Sequence, residues 1–512
     1  MSRINTNVTS LIAQRILGNN NQSLTTSLER LSTGLKISRG KDEPAGLIAS
    51  EALRAEARGL GQAVANAERA DQVANIAEGG LQEVSGLLTE LQGLVTQTAN
   101  TAGLSAAEKQ ANQLQIDSIL QTIDRVASAT SFQGIKLLNG NFDYTVDAVD
   151  GDVAAFRVNG AKLTYQGTRD VNVQVTQSAQ TGALLLSFGG TQLDLAGAGT
   201  DDPAARFVIE IGGVGGSREL SFSSGTTLAQ IVDTINTFTD VTGVSATLSA
   251  AGNTGIRLSS TAYGSNEFVS VKVTNDGGVV GDGVLNYTAG QNYLADGASA
   301  VAFTAASNRI TDSGQDLGAT INGINATTVG KVARISTDFL DVEIELSTDA
   351  SEALNPISAF TITGGGADFQ LAGNVDIGGK VAIGIGNVAV REIGRYSSNG
   401  SNYTLSNLGA GSSLNVVDGD LSKAQEVVSK AISDISSLRG RLGAFQKNTV
   451  GATIRSLGVS LENTVAAESI IRDADFAVET ANLTRSQILV SSATQVLSLS
   501  NAQPQNVLSL LG

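Results

Sequence analysis

The sequence predicts a multidomain α+β protein: paired helices from its two ends form a terminal coiled coil, and the middle is a β-rich, solvent-exposed insert. Three observations carry that expectation: apolar heptads near both ends, β-branched alternation between them, and few aromatic residues. A chain of 512 residues has room for several cores. Aromatics make up only 4% of it and Trp is absent, which favours packing through alanine and short aliphatic side chains.

A formal charge of −16 and an isoelectric point near 4.5 oppose binding to phosphate backbones and anionic membrane surfaces. No apolar run approaches the ~18 residues of a membrane-spanning helix. The opening MSRINTNVTSLIAQ lacks the continuous apolar block of a cleavable signal. Neither nucleic acid nor membrane insertion is therefore expected. Cys and His are both absent, which removes structural zinc, thiol nucleophiles and any Ser-His-Asp triad. The chain is not expected to be an enzyme, and no catalytic, cofactor or metal residue is assigned.

Taken in order, the first helical face carries Leu24, Leu28, Leu31 and Leu35. It breaks in LSTGLKISRGKDEPAGLIAS, residues 31–50, where Gly34, Gly40, three basic residues, two acids and Pro44 crowd together. Glycine at 34 and 40 permits non-helical backbone. Asp42 and Glu43 suit the positive amino end of a following helix, and Pro44 is tolerated in its first turn. Beyond it Leu60, Ala63, Ala67, Ala70, Ala74, Ala77, Leu81, Val84, Leu88, Leu91 and Val95 follow a heptad. Such a seam faces another helix. A further helix is expected over 105–129, with Leu114, Ile116, Ile119, Leu120 and Ile123 as its apolar side.

Between about 140 and 415 the pattern changes. VNVQVTQ, ALLLSF, RFVIEIGG, VSVKVTN and DVEIELS are β-branched and bounded by Gly, Asn and Asp, so they read as strands. TTLAQIVDTINTF, residues 226–238, reads as a short amphipathic helix among them. Near the carboxyl end the heptad returns in Leu421, Ala424, Val428, Ala431, Ile435, Leu438, Leu442, Phe445 and Thr449. Leu489, Ala493 and Val496 then extend an apolar stripe. Two seams so far apart in sequence are most simply buried against each other.

The motifs that suggest chemistry have plainer readings. GGVGGS at 212–217 lacks the Lys-Ser/Thr of a phosphate loop and reads as a turn. DGGVVGDG at 276–283 and GGGADFQLAG at 364–373 lack the spaced acids of a calcium loop. Glu343 and Glu345 alternate on one strand and so share a solvated face. Asn286, Asn325 and Asn402 open Asn-X-Ser/Thr triplets, which matter only where such sites are glycosylated.

INTNVTSLIAQRIL…SLERLSTGLKISRGKDEPAGLIASEAL at one end and ESIIRDADFAVETANLTRSQILVSSATQVLSLSNAQPQNVLSLLG at the other strongly resemble bacterial flagellin, the subunit of the flagellar filament. TSFQGIKLLNG fits the same family after the second helix, and TTLAQIVDTIN and ATINGINATTVGKVARIS look like its small IN modules. The resemblance implies inner-tube terminal helices over 1–42 and 466–512, and an outer-tube helical domain with a β-hairpin over 43–175 and 405–465. Two outer β-rich modules would span 176–295, with the IN-like motif, and 296–404.

It further implies polymerisation through Ile4, Val8, Leu11, Leu24, Leu28, Leu31, Leu489, Val496, Leu508 and Leu511, with terminal folding coupled to assembly. Gly34, Lys36, Arg39, Gly40, Lys41, Asp42 and Pro44 would form the connecting spoke, its basic residues reaching acids of neighbouring subunits. The coiled-coil seam would be Leu60, Leu81, Val84, Leu88, Leu91 and Val95 with Val428, Ile435, Leu438 and Leu442. Implied partners are the chain itself, an export chaperone, the filament cap and hook-associated proteins. The implied location is the extracellular filament, reached without a cleaved signal. The alternatives are a hook–filament junction protein, or a filament subunit with an added adhesive or glycan-binding outer domain.

Many flagellins activate a Toll-like receptor through basic residues around the segment matching LLTELQGLVTQ, 87–97. Here that segment has no Lys or Arg, and Glu90 stands where a basic residue is usual in stimulatory members. Purified monomer is expected to give a weak or absent response in a receptor reporter assay; a strong one would overturn this.

Overall fold

The computed structural model describes residues 6–100, 103–164, 167–195, 205–249, 254–286, 301–398 and 401–509. The helices are α1 (Val8–Thr33), α2 (Pro44–Thr98), α3 (Ala106–Ala129), α4 (Leu228–Asn236), α5 (Thr239–Thr242), α6 (Thr348–Glu352), α7 (Leu421–Ala444), α8 (Gly451–Arg472) and α9 (Phe476–Ser509). The chain folds into two compact units. One is Met1–Gly93, Phe369–Val381 and Ser429–Gly512; the other is Leu94–Asp368 and Ala382–Val428.

In the first unit the α2 seam is buried as the heptad predicts. Ala63, Ala67, Ala70, Ala74 and Ala77 give way to Leu81, Val84, Leu88 and Leu91, all inaccessible to solvent. α7 runs antiparallel beside it and buries Ala431, Ile435, Leu438 and Leu442. Arg439 Nε donates to Glu78 Oε1 at 2.9 Å, and Gln446 Nε2 to Asn75 Oδ1 at 3.0 Å. Alanine in the first half lets axes approach closely; leucine and valine fill the wider second half. Leu60 is only half-buried. There α2 instead meets the hairpin 369–381, where a Cβ on Gly59 would stand 3.1 Å from the Gly373 carbonyl oxygen. Two glycines make that backbone approach possible.

The α7 heptad does not run on to Thr449. A π turn, Phe445–Val450, joins α7 to α8 and inserts one residue into the repeat. The buried position after Phe445 is therefore Val450, fully inaccessible, while Thr449 is half-exposed. Beyond this turn α8 buries none of its side chains.

In the second unit Ser105 caps α3 with a reciprocal box. Its hydroxyl accepts from Glu108 N–H at 3.3 Å, and Glu108 Oε2 accepts from Ser105 N–H at 2.7 Å. Leu114 is 70% exposed and does not belong to the apolar side of α3. The buried face carries Gln113 in its place. Gln113 Nε2 donates to the Leu408 carbonyl and Oε1 accepts from Val416 N–H, both at 2.9 Å. A buried amide satisfied at both ends ties α3 to 408–416 more specifically than a leucine would.

Two antiparallel β modules follow. One packs sheets of strands 283–286, 183–187, 255–260, 244–248 and 310–313, 268–275, 206–213, 216–223, each in that spatial order, with α4 against them. Leu228, Ile231 and Ile235 of α4 enter that core, and Thr227 and Gln230 form a second capping box. The other module pairs 324–325, 318–321, 169–177, 356–365, 144–147 in one sheet and 327–329, 332–336, 340–346, 153–161 in the next. Its core joins Val171, Val173 and Val175 to Ile321, Ile344 and Ile362. Strands 153–161 and 169–177, within the 43–175 span that the resemblance assigns to the outer-tube domain, share a core with 317–362. Pairing of such distant strands leaves no local signature. Glu343 and Glu345 lie on the half-exposed face of their strand, opposite the buried Val342 and Ile344.

Because the π turn sets the burial register, Val450→Ala should destabilise the chain by about 2 kcal/mol. Thr449→Ala should stay within about 0.5 kcal/mol. Thermal or denaturant unfolding of the two variants checks the order, and equal effects would place the register elsewhere.

Candidate functional site

The terminal helices pair antiparallel within the first unit. Asn7 Nδ2 donates to the Ser500 carbonyl at 2.8 Å, Ser10 Oγ to Asn501 Oδ1 at 2.7 Å, and Asn20 Nδ2 to the Leu489 carbonyl at 3.3 Å. Asn7 also caps α1, accepting from Ser10 N–H at 3.0 Å. At the other end the buried Glu479 carboxylate lies 3.8 Å from the Arg30 guanidinium.

The buried residues of this seam are Ser10, Ala13, Ser27, Glu479, Ser486, Ala493 and Ser500. They are small or polar. Large aliphatic side chains point outward instead: Val8, Leu11, Leu28, Leu489 and Val496 are between 45% and 58% exposed. Ile12, Ile16, Ile488 and Leu499 are exposed too, while Leu24 and Leu31 are half-buried. Of the stripe expected from sequence in α9, only Ala493 faces the α1–α9 seam. Ile4, Leu511 and the side chain of Leu508 lie outside the described residues.

Between α1 and α2 the chain makes a fixed turn rather than a loose loop. Gly34 takes the left-handed conformation, φ +71°, and its N–H closes α1 on the Arg30 carbonyl at 2.9 Å. Gly40 does not take that conformation, and a Cβ there would make only ordinary contact with Leu47. Pro44 opens α2. Asp42 does not serve that helix's amino end. Its carboxylate turns back to accept from the N–H groups of Arg39 at 2.9 Å and Ser38 at 3.3 Å. The Arg39 N–H holds the Asp42 carboxyl below the usual aspartate range.

Basic residues of this turn pair within the chain. Arg39 reaches Glu29 at 2.7 Å and Lys36 reaches Glu43 at 3.5 Å. Among the described residues Lys41 has no ion pair. Exposed pairs of this kind contribute little. Two residues that the sequence did not single out hold more: Ile37 is fully buried, and Gly46 leaves room for it, since a Cβ at 46 would stand 2.6 Å from Ile37 Cδ1. A lone isoleucine flanked by Lys and Ser gives no periodic signal.

A second extended segment, also missed, lies opposite. Leu35 bridges Asp473 antiparallel; Lys36 N–H donates to the Arg472 carbonyl at 2.7 Å and Ala474 N–H to the Gly34 carbonyl at 2.9 Å. Asp475 then caps α9 through the N–H groups of Ala477 and Val478, at 2.8 and 3.2 Å.

Asp42 offers a direct check. Its depressed pKa means that its contribution is complete above about pH 4 and is lost as pH falls through the folded-state value. Amide protection factors at Ser38 and Arg39 should fall on that acidification, and at neutral pH in Asp42→Ala. Unchanged protection in the variant would remove the turn's dependence on this carboxylate.

Family models match this architecture at three places. The bacterial flagellin N-terminal helical region matches residues 4–143, the C-terminal helical region 425–511, and the flagellin hook IN motif 207–262. A flagellin of Salmonella typhimurium is 28% identical over 527 residues, covering 99% of this chain and 99% of that protein. A flagellin of Salmonella rubislaw is 29% identical over 552 residues, and flagellin A of Helicobacter pylori 26% over 556, with 99% of each chain covered. Helical ends, IN motif and full-length relatives agree in chain order, and the chain belongs to the bacterial flagellin family.

Proposed function

We propose that this flagellin builds its filament by docking the outward aliphatic stripes of α1 and α9 onto further copies of itself. The family is a structural one, and its filament lies outside the cell. The observation that carries the mechanism is the α1–α9 seam: it consumes serine, alanine and asparagine and leaves Val8, Leu11, Leu28, Leu489 and Val496 uncovered. Exposed aliphatic rows mark association surfaces. α1 and α9 meet through small and polar side chains that bury little apolar area, and most helical stability comes from packing an apolar face, so each is marginal without further partners. Their final ordering is therefore coupled to assembly, which keeps the exported subunit from polymerising early. Contacts of one surface with a different surface on the next copy extend without closing, giving a fibre.

In this reading α1, α9 and the 34–44 turn form the inner tube and its spoke, α2, α3, α7 and α8 the outer tube, and the β modules the outer surface. An export chaperone on the carboxyl-terminal helix, a filament cap and hook-associated proteins are the further partners. No catalytic role is assigned. The junction-protein alternative is not favoured, because full-length relatives are flagellins.

Leu11→Glu and Leu489→Glu place charge in the proposed contact. Each should slow elongation of sheared filament seeds by at least about tenfold, equivalent to 1.4 kcal/mol or more. Unfolding of the free subunit should move by no more than about 0.5 kcal/mol. Variants that elongate at the wild-type rate would refute the assigned surface. Amide exchange should show α1 and α9 protected far more in filaments than in free subunits; equal protection would refute coupled folding.

A further inference from the structure

α8 ends at Arg472, and that residue touches three elements at once. Its Nη1 lies 2.8 Å from Glu51 Oε1 on the second turn of α2 and 3.8 Å from Glu468 Oε1 on its own helix. Its carbonyl oxygen accepts from Lys36 N–H at 2.7 Å and Ile37 N–H at 3.5 Å. Its side chain is only 15% exposed, well covered for an arginine. The backbone that leaves the helical body for α9 therefore passes through a residue whose side chain grips α2 and whose carbonyl grips the strand coming from α1.

Only short stretches of chain connect the α1–α9 pair to α2 and α8. On one side Gly34 is the left-handed pivot; on the other, Asp473 and Ala474 separate α8 from the Asp475 cap of α9. The strands are joined at one bridge, Leu35 to Asp473, with two flanking backbone bonds. Two strands so short do not hold an angle by themselves. Side-chain anchors on both sides fix them: Ile37 under Gly46 on the amino-terminal strand, Arg472 on Glu51 on the carboxyl-terminal one.

We propose that Arg472, through Glu51, is the positioning residue that sets the angle of the α1–α9 pair before a subunit docks onto a second copy. The proposal rests on the assembly reading above and adds a residue outside the aliphatic contact. Arg472 contacts no other copy in this role; it raises the fraction of free subunits whose terminal pair already has the docking angle.

Binding weakens in proportion to the fraction of molecules in the competent arrangement. If Arg472→Ala leaves that arrangement populated in about one subunit in ten, elongation from sheared filament seeds slows by about tenfold. Glu51→Gln, which removes the other half of the pair, should slow it in the same direction.

The chain has no cysteine, so a cross-link can replace the anchor. Leu35 and Asp473 form a non-hydrogen-bonded antiparallel pair. Such pairs have Cα atoms about 4.5 Å apart, within the range a disulfide spans. Leu35→Cys with Asp473→Cys in the Arg472→Ala background should elongate slowly when reduced and recover to within about threefold of wild type when oxidised. A residue that served only helix stability would show no such redox-dependent recovery.

Circular dichroism melting of each free variant separates this from unfolding of α2 and α7, whose transition should not move. Wild-type elongation by Arg472→Ala, or no recovery of the oxidised variant with an intact melt, overturns the proposal. Failure of the wild-type subunit itself to elongate seeds would instead overturn the assembly reading.

Discussion

A seam of serine, alanine and asparagine cannot cover leucine and valine, and the rest of this architecture follows from that constraint. α1 and α9 meet through Ser10, Ala13, Ser27, Ser486, Ala493 and Ser500, so their large side chains have nowhere to go within one chain. Hydrogen bonds from Asn7, Ser10 and Asn20 align the helices without burying much apolar area. Net gains from such bonds are modest, because water satisfies the same groups in the open state. The pairing is thus specific in register but weak in energy.

The helical body uses the opposite chemistry. α2 and α7 bury alanine, then leucine, valine and isoleucine, in a seam inaccessible to solvent. That body holds together without other copies and provides the frame for the 34–37 and 472–474 strands. The π turn at 445–450 separates the two regimes along one continuous run of helix. Before it α7 buries its stripe; after it α8 buries nothing.

Much of this was legible in the residues. The α2 heptad, the α7 heptad as far as Phe445, the start of α2 at Pro44, the helix over 105–129 and the short α4 all carry local signals, and each lies where its pattern places it. What escaped has physical reasons. The residues buried between α1 and α9 are small or polar and carry no apolar period, so the seam within one chain leaves no hydrophobic signal in the sequence. One surplus residue in a π turn changes which position is buried but leaves the apolar count intact, hence Thr449 for Val450. Leu114 looked like core because the polar Gln113 beside it did not. Asp42 sat at the right spacing to cap α2, but nearer N–H groups on Ser38 and Arg39 took its oxygens.

The β region hides its organisation for a different reason: partners there are far apart in sequence. Gln177 pairs with Gly318 at the rim of the five-stranded sheet. The described residues between them leave the sheet and return to it at neighbouring points, and this insertion also lends Ala179, Tyr263 and Leu317 to the core at its base. Because both ends of the insertion meet at one rim, a change in its length or decoration is absorbed there, provided the three side chains seated in the base are kept.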